Sequence, residues 1–227
     1  MHLRSIIIGI ATCFAVALPA KAQFLKKYFT NVELIGGVGT TSYFGDVGGK
    51  DDRITGIVSL FDNLDVDLWQ VRTMFTVGAR IKPYEKVGVN LQISPVFLSG
   101  NDLHSNYAFR GYSFKTSIIE ASLMGEYYIV DQANLYSPYG TLGFSGLLYS
   151  YKNSTTELRS KWYGGNAFIF GGGVRFPTQT NLTQSLDFSF HFTATDNLDG
   201  MKTARNSKDL FFILSYKVNF QVRILWY

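Results

Sequence analysis

The sequence predicts an all-β protein, an eight-stranded antiparallel up-and-down transmembrane β-barrel with short periplasmic turns and long external loops. Three observations lead there. Leu214 to Trp226 alternates without a break, with Leu214, Tyr216, Val218, Phe220, Val222, Ile224 and Trp226 in one phase and Ser215, Lys217, Asn219, Gln221 and Arg223 in the other. Side chains of a strand point alternately to its two faces, so one face is oily and the other carries charge. Secondly, the connections between such segments alternate strictly between short and long, as barrels with short periplasmic turns require. Thirdly, beyond the N-terminal region no apolar run is long enough for a spanning helix.

The N-terminus reads as a cleavable signal peptide over residues 1–22, followed by a barrel domain over 23–227. His2 and Arg4 precede the apolar run Ile6 to Leu18, and Ala20-Lys21-Ala22 offers a cleavage site before Gln23. Cys13, the only cysteine, lies within the apolar run, too far upstream for a lipidation site. The mature chain therefore lacks disulfides, thiol chemistry and cysteine metal sites. Loss of Arg4 and Lys21 lowers the formal net charge from +4 to +2, with scattered bases and no nucleic-acid footprint.

The strands follow in order. Val32 to Phe44 is the first and is rich in glycine; Arg72 to Lys82 and Val87 to Phe97 flank a turn at 83–86. Ser113 to Ile129 and Tyr136 to Tyr151 flank a short link, Val130 to Leu135. Phe168 to Phe176 and Leu186 to Thr193 flank the segment Pro177 to Gln184, read as a turn, and the strand ending at Trp226 closes the set. The longer, more polar connections, 45–71, 98–112, 152–165 and 196–208, would be external. Eight strands leave an interior filled by side chains, which excludes a wide water channel.

Strand phase directs Glu33, Arg72, Arg80, Glu120, Glu126, Arg175, Asp187, His191, Lys217 and Arg223 inward. Acids and bases nearly match, as buried charges must. A structural plug is the first reading of this set, and a proton or ion path the second. Lys217 and Arg223 are the expected partners of Glu33, Glu120, Glu126 or Asp187. A lone inward His191 among Asp187, Ser189 and Thr193 reads as a hydrogen-bonding residue before a ligand or base.

Catalytic and metal signals are weak. His104 sits in Asn101-Asp102-Leu103-His104-Ser105, residue types suited to acid–base work but equally typical of loops. No histidine pair has metal-ligand spacing, and no cofactor is expected. Gly171-Gly172-Gly173 lies in a strand, where glycine serves bending or close packing before phosphate binding. Tyr127, Tyr128, Tyr136, Tyr139, Trp226 and Tyr227 are expected as an interfacial girdle at the short-turn end, with Phe44, Trp69, Tyr149, Tyr151, Trp162 and Tyr163 as its outer counterpart. In the first external loop Ile54, Ile57, Val58, Phe61 and Leu64 recur at helical spacing behind Asp51 and Asp52. Capping of the barrel mouth, partner docking and continued hairpin all fit that segment.

Several segments together carry a resemblance. Glu33-Leu34-Ile35-Gly36-Gly37-Val38-Gly39 leads to Thr41-Ser42-Tyr43-Phe44-Gly45-Asp46; Arg110-Gly111-Tyr112-Ser113-Phe114-Lys115 leads to Ile118-Ile119-Glu120 and Glu126; Ser137-Pro138-Tyr139-Gly140 is followed by Gly143. Across most of the mature chain these resemble the PorG-type outer-membrane barrels of Bacteroidota, associated with type IX secretion and gliding. The resemblance implies a non-enzymatic subunit in outer-membrane lipid, anchoring a periplasmic ring of PorK and PorN. The expected ring contacts face the periplasm: Lys26 and Lys27 within 23–30, Lys82, Glu85 and Lys86 at the first short turn, and Asp131 within the second. A free-standing barrel binding surface or host ligands through its external loops is the alternative, and a lipid hydrolase using His104 a third.

Overall fold

In a computed structural model the described residues are 31–44, 71–102, 109, 111–130, 136–154, 161–179, 181–195, 197–200 and 209–223. They form eight strands: β1 (Asn31–Phe44), β2 (Arg72–Tyr84), β3 (Val87–Asn101), β4 (Ser113–Tyr128), β5 (Ser137–Asn153), β6 (Tyr163–Gln179), β7 (Leu182–Thr193) and β8 (Leu210–Arg223). Each pairs antiparallel with its neighbours in sequence. β1 also pairs with β8, Asn31 opposite Arg223 and Phe44 opposite Leu210, so the sheet closes and no edge is left.

The period-two pattern decides which side faces in. β4 alternates between exposed and buried residues along nearly its whole length, Ile119, Leu123 and Tyr127 pointing out and Glu120, Glu126 and Tyr128 pointing in. Leu34, Val77, Leu91, Leu142, Phe170 and Phe220 continue the oily exterior around the barrel, with Phe144 70% exposed. A folded protein in water rarely exposes an apolar surface of this extent. With its polar groups inside and its oils outside, the molecule inverts a water-soluble barrel and matches a transmembrane one.

Two turns are tighter than the sequence suggests. β2 runs on through Pro83 to Tyr84, leaving only Glu85 and Lys86 as the turn, with a register shift between Ile81 and Tyr84. β6 likewise continues through Pro177 to Gln179, and β7 starts at Leu182, so the expected turn from Pro177 to Gln184 is mostly strand. Proline lacks a ladder donor, and the irregularity between Pro177 and Gln179 accommodates it in β6.

The interior has two chemistries. Toward the short-turn end it is charged. Toward the opposite end it is apolar, built from Tyr43, Met74, Val96, Leu98, Phe114, Ile118, Leu147, Tyr149, Ala167, Leu198, Phe211 and Ile213. Leu198 belongs to the connection between β7 and β8, which dips into the barrel mouth: Leu198 is fully buried and Asp199 nearly so. This plug is a turn in which the Gly200 amide donates to the Asn197 carbonyl at 3.2 Å. Gly200 has φ +76°, a conformation that glycine adopts without a steric penalty, and a Cβ there would run into the Tyr151 ring.

Candidate functional site

Toward the short-turn end and the middle, the lumen holds charged residues in three groups. At the short-turn end, the Glu33 carboxylate of β1 receives Arg80 Nη1 at 3.2 Å, Lys82 Nζ at 2.5 Å and Arg175 Nη2 at 2.6 Å. Arg80 also reaches Glu126 of β4 through Nη2 at 2.8 Å, and donates to Asn219 Oδ1 at 3.1 Å. Glu126 receives two further donors, Asn90 Nδ2 at 2.7 Å and the Tyr128 hydroxyl at 2.7 Å. Arg175 completes its fork on Thr183 Oγ1 at 2.6 Å. Deep burial makes each charge costly on its own, and this cross-bracing supplies the partners that offset the cost.

The second group is Lys217 Nζ on Asp187 Oδ2 at 2.8 Å, with the Tyr139 hydroxyl donating to the same carboxylate. Gly173, directly opposite Asp187 and Tyr139 in the sheet, makes this approach possible. A Cβ there would lie 2.9 Å from the Tyr139 hydroxyl. Close packing is thus the role of this glycine.

The third group is Glu120, His191 and Ser189. His191 Nδ1 lies 2.8 Å from Glu120 Oε1, and Nε2 lies 2.8 Å from Ser189 Oγ. An ionised carboxylate only accepts, so Nδ1 donates to Glu120, and Nε2 shares a hydrogen bond with the Ser189 hydroxyl. The imidazole stacks on Phe211, ring centroids 4.5 Å apart. Acid, base and hydroxyl stand in the order of a nucleophilic triad. Yet the space they border is a lumen cavity of about 30 Å³, shared with Gln92, Ser122 and Lys217. That is room for water and far too little for an acyl substrate.

Among the described residues, four carboxylates (Glu33, Glu120, Glu126, Asp187) therefore meet four Lys and Arg side chains (Arg80, Lys82, Arg175, Lys217) and His191. Above them the apolar cluster and the 197–200 plug fill the mouth. The Tyr43 hydroxyl donates to Asp209, whose Oδ2 accepts the Leu198 amide at 2.8 Å, while Thr116 Oγ1 donates to the Leu198 carbonyl at 2.5 Å.

Several sequence expectations are corrected. Arg72 shares the inward phase but lies exposed at the external rim, its Nε on Ser99 Oγ at 2.8 Å, outside the buried network. Lys82, expected as a periplasmic contact, has its ammonium on Glu33 instead. Tyr128, Tyr139 and Tyr149 are not girdle residues: all three are buried inside the barrel, whereas Tyr127, Tyr136, Trp162 and Tyr163 are exposed. Arg223 pairs through its backbone with Asn31, and its side chain lies outside the described residues. Lys217 pairs with Asp187. Glu85 and Lys86 form the exposed turn between β2 and β3. Lys26, Lys27, Asp131, His104, Trp69, Trp226, Tyr227 and the apolar residues of the first external loop lie outside the described residues.

Strand phase carried enough signal to find Lys82, which shares the parity of Arg80, and Tyr128, which shares that of Glu126. Asn90 and Asn219 were legible in the same way. No pattern in the sequence marks Leu198 or Asp199 as inserted.

These features define a class: an eight-stranded transmembrane barrel with a charge-braced lumen. Its fold is that of small outer-membrane barrels. It is similar to Neisserial surface protein A, with 12% identity over 84% of this chain and 97% of that one and a TM-score of 0.51. Ail of Yersinia pestis matches at 11% identity over 85% and 98% of the two chains, TM-score 0.48. The N-terminal barrel domain of Pseudomonas aeruginosa OprF matches at 12% over 85% and 98%, TM-score 0.46. At such identities the likeness is one of fold. No protein-family model matches the chain, and no curated protein matches it.

Proposed function

We propose that the protein is a non-enzymatic outer-membrane anchor, exported by its 1–22 signal peptide, that works from its two ends and not through its lumen. The observation that carries this reading is the cross-braced lumen: Arg80 alone ties Glu33, Glu126 and Asn219 together, from β1, β4 and β8. A barrel so filled offers no passage for a solute. The periplasmic end is then the functional one, and the exposed Glu85–Lys86 turn is its described part. The motifs shared with PorG-type barrels favour one occupant, the PorK–PorN ring of type IX secretion. Affinity-tagged protein solubilised from its native membrane in mild detergent retains the two ring proteins under this proposal; recovery of the barrel alone opposes it.

A second reading places the function at the external loops, as a surface-binding barrel. The folded turn at 197–200 favours it, because it braces the external mouth against Tyr43, Thr116 and Asn153. Deleting 47–68 separates the two readings: it abolishes surface binding but leaves ring retention intact.

A further inference from the structure

Lys115 of β4 and Lys152 of β5 are direct cross-strand partners. Both are exposed and both stand in the outward phase. Like charges directly opposite each other destabilise a sheet. Among the described residues no carboxylate forms an ion pair with either. An anion lying between them would turn that repulsion into attraction.

The pair's height in the barrel is informative. Below it, Ser117 faces Ser150, and below those Ile119 faces Leu148, both half exposed at the top of the oily band. Four residue steps of strand lead from Lys115 to Ile119, about 13 Å along the chain and less in height because barrel strands tilt. The two ammonium groups therefore sit just above the apolar belt, at the level of lipid headgroups. They are at the end opposite the Glu85–Lys86 turn, which is the external one.

Beside the pair is a cleft of about 550 Å³ at the rim of β3, β4 and β5. Arg72 forms part of its wall, its guanidinium fixed by the bond from Nε to Ser99. Asn101, Ser113 and Ser154 add amide and hydroxyl groups, and among the described residues no carboxylate lines the cleft. Three cations with neighbouring hydroxyls and amides suit a phosphate joined to a sugar.

We propose that the cleft bounded by Arg72, Lys115 and Lys152 binds the phosphorylated sugar headgroup of a glycolipid in the outer leaflet. This rests on the transmembrane reading of the barrel and is independent of the periplasmic ring. A free anion would need no tie to membrane depth, whereas the pair's place above the oily belt matches a headgroup whose acyl chains lie along β4 and β5.

The test uses the full-length protein in phosphatidylcholine nanodiscs, titrated with bisphosphorylated lipid A, dephosphorylated lipid A, phosphatidylglycerol and inorganic phosphate, with bound lipid read by native mass spectrometry. The wild type retains bisphosphorylated lipid A and not the dephosphorylated form. Lys115→Gln/Lys152→Gln weakens retention about twenty-five-fold, from roughly five-fold per surface lysine, while Asn181→Ala, exposed at the other end, leaves lipid A retention unchanged. Heat-modifiable gel mobility shows that each variant is a closed barrel. Unchanged retention by the double variant overturns the proposal, as does equal retention of dephosphorylated lipid A or phosphatidylglycerol. Saturation by inorganic phosphate at the lipid's own affinity assigns the cleft to a free anion and also overturns it. Failure of the wild type to insert removes the transmembrane reading itself, whereas loss of the ring proteins alone leaves this proposal standing.

Discussion

Arg175 and Glu33 meet across the lumen, Nη2 to Oε2 at 2.6 Å, although their strands β6 and β1 are not neighbours in the sheet. The contact spans 142 positions of sequence and braces the barrel from inside. Such a brace ties opposite sides of the wall together.

Glu33 is the keystone of that brace, because Arg80, Lys82 and Arg175 all converge on it. Glu33→Gln removes the charge that three cations share. The expected loss is about 3–5 kcal/mol, the usual cost of orphaning a buried partner. Urea unfolding from lipid vesicles measures it. Arg175→Met in the Glu33→Gln background then costs less than Arg175→Met alone, since the two belong to one network.

Ser189, His191 and Glu120 stand in the order of a triad beside a cavity of about 30 Å³. A fluorophosphonate probe is therefore expected to leave Ser189 unlabelled in the folded barrel, while Ser189→Ala leaves gel mobility unchanged. Covalent modification of Ser189, found by peptide mass spectrometry, would show a substrate route that the packed lumen does not contain.

The mouth plug depends on Gly200 and Asp209. Gly200→Ala meets both a positive φ and the Tyr151 ring, so it costs more than about 1 kcal/mol. Asp209→Leu strips the acceptor from the Leu198 amide and from Tyr43, with about 1–3 kcal/mol for each buried donor left alone. Hydrogen exchange at 197–200 speeds up in both variants and stays slow in β4. Equal exchange in variant and wild type would mean that the turn is held by other contacts.

The exterior should behave as a lipid face. Leu123, half exposed in the middle of β4, becomes a buried charge in the bilayer when changed to Arg, costing about 2–4 kcal/mol at the midplane. Folding yield into vesicles of graded urea content reads the difference. A water-soluble barrel would tolerate or gain from the same change.

The architecture was legible because period two repeats eight times, and β4 and β8 display it over most of their length. It failed where local chemistry misled. Pro83 and Pro177 read as turn residues, yet the sheet absorbs both beside register irregularities. The residue type of Tyr128 and Tyr139 points to a girdle, although their phase sets them inward, where both are buried. The apolar half of the lumen gave no signal at all: in Phe211-Phe212-Ile213-Leu214 both faces are oily, so alternation vanishes where the interior changes from charged to apolar. The plug at 197–200 depends on contacts with Tyr43, Thr116 and Asn153 from distant strands, which no local pattern encodes.

The central claim is that the barrel is sealed and works from its ends. Current across a planar bilayer containing the purified wild-type protein tests it most directly. The account predicts no stable unit conductance, and none when Asp209→Leu loosens the mouth, because the charge-braced lower lumen remains. A steady, ion-selective current through the wild type would contradict it.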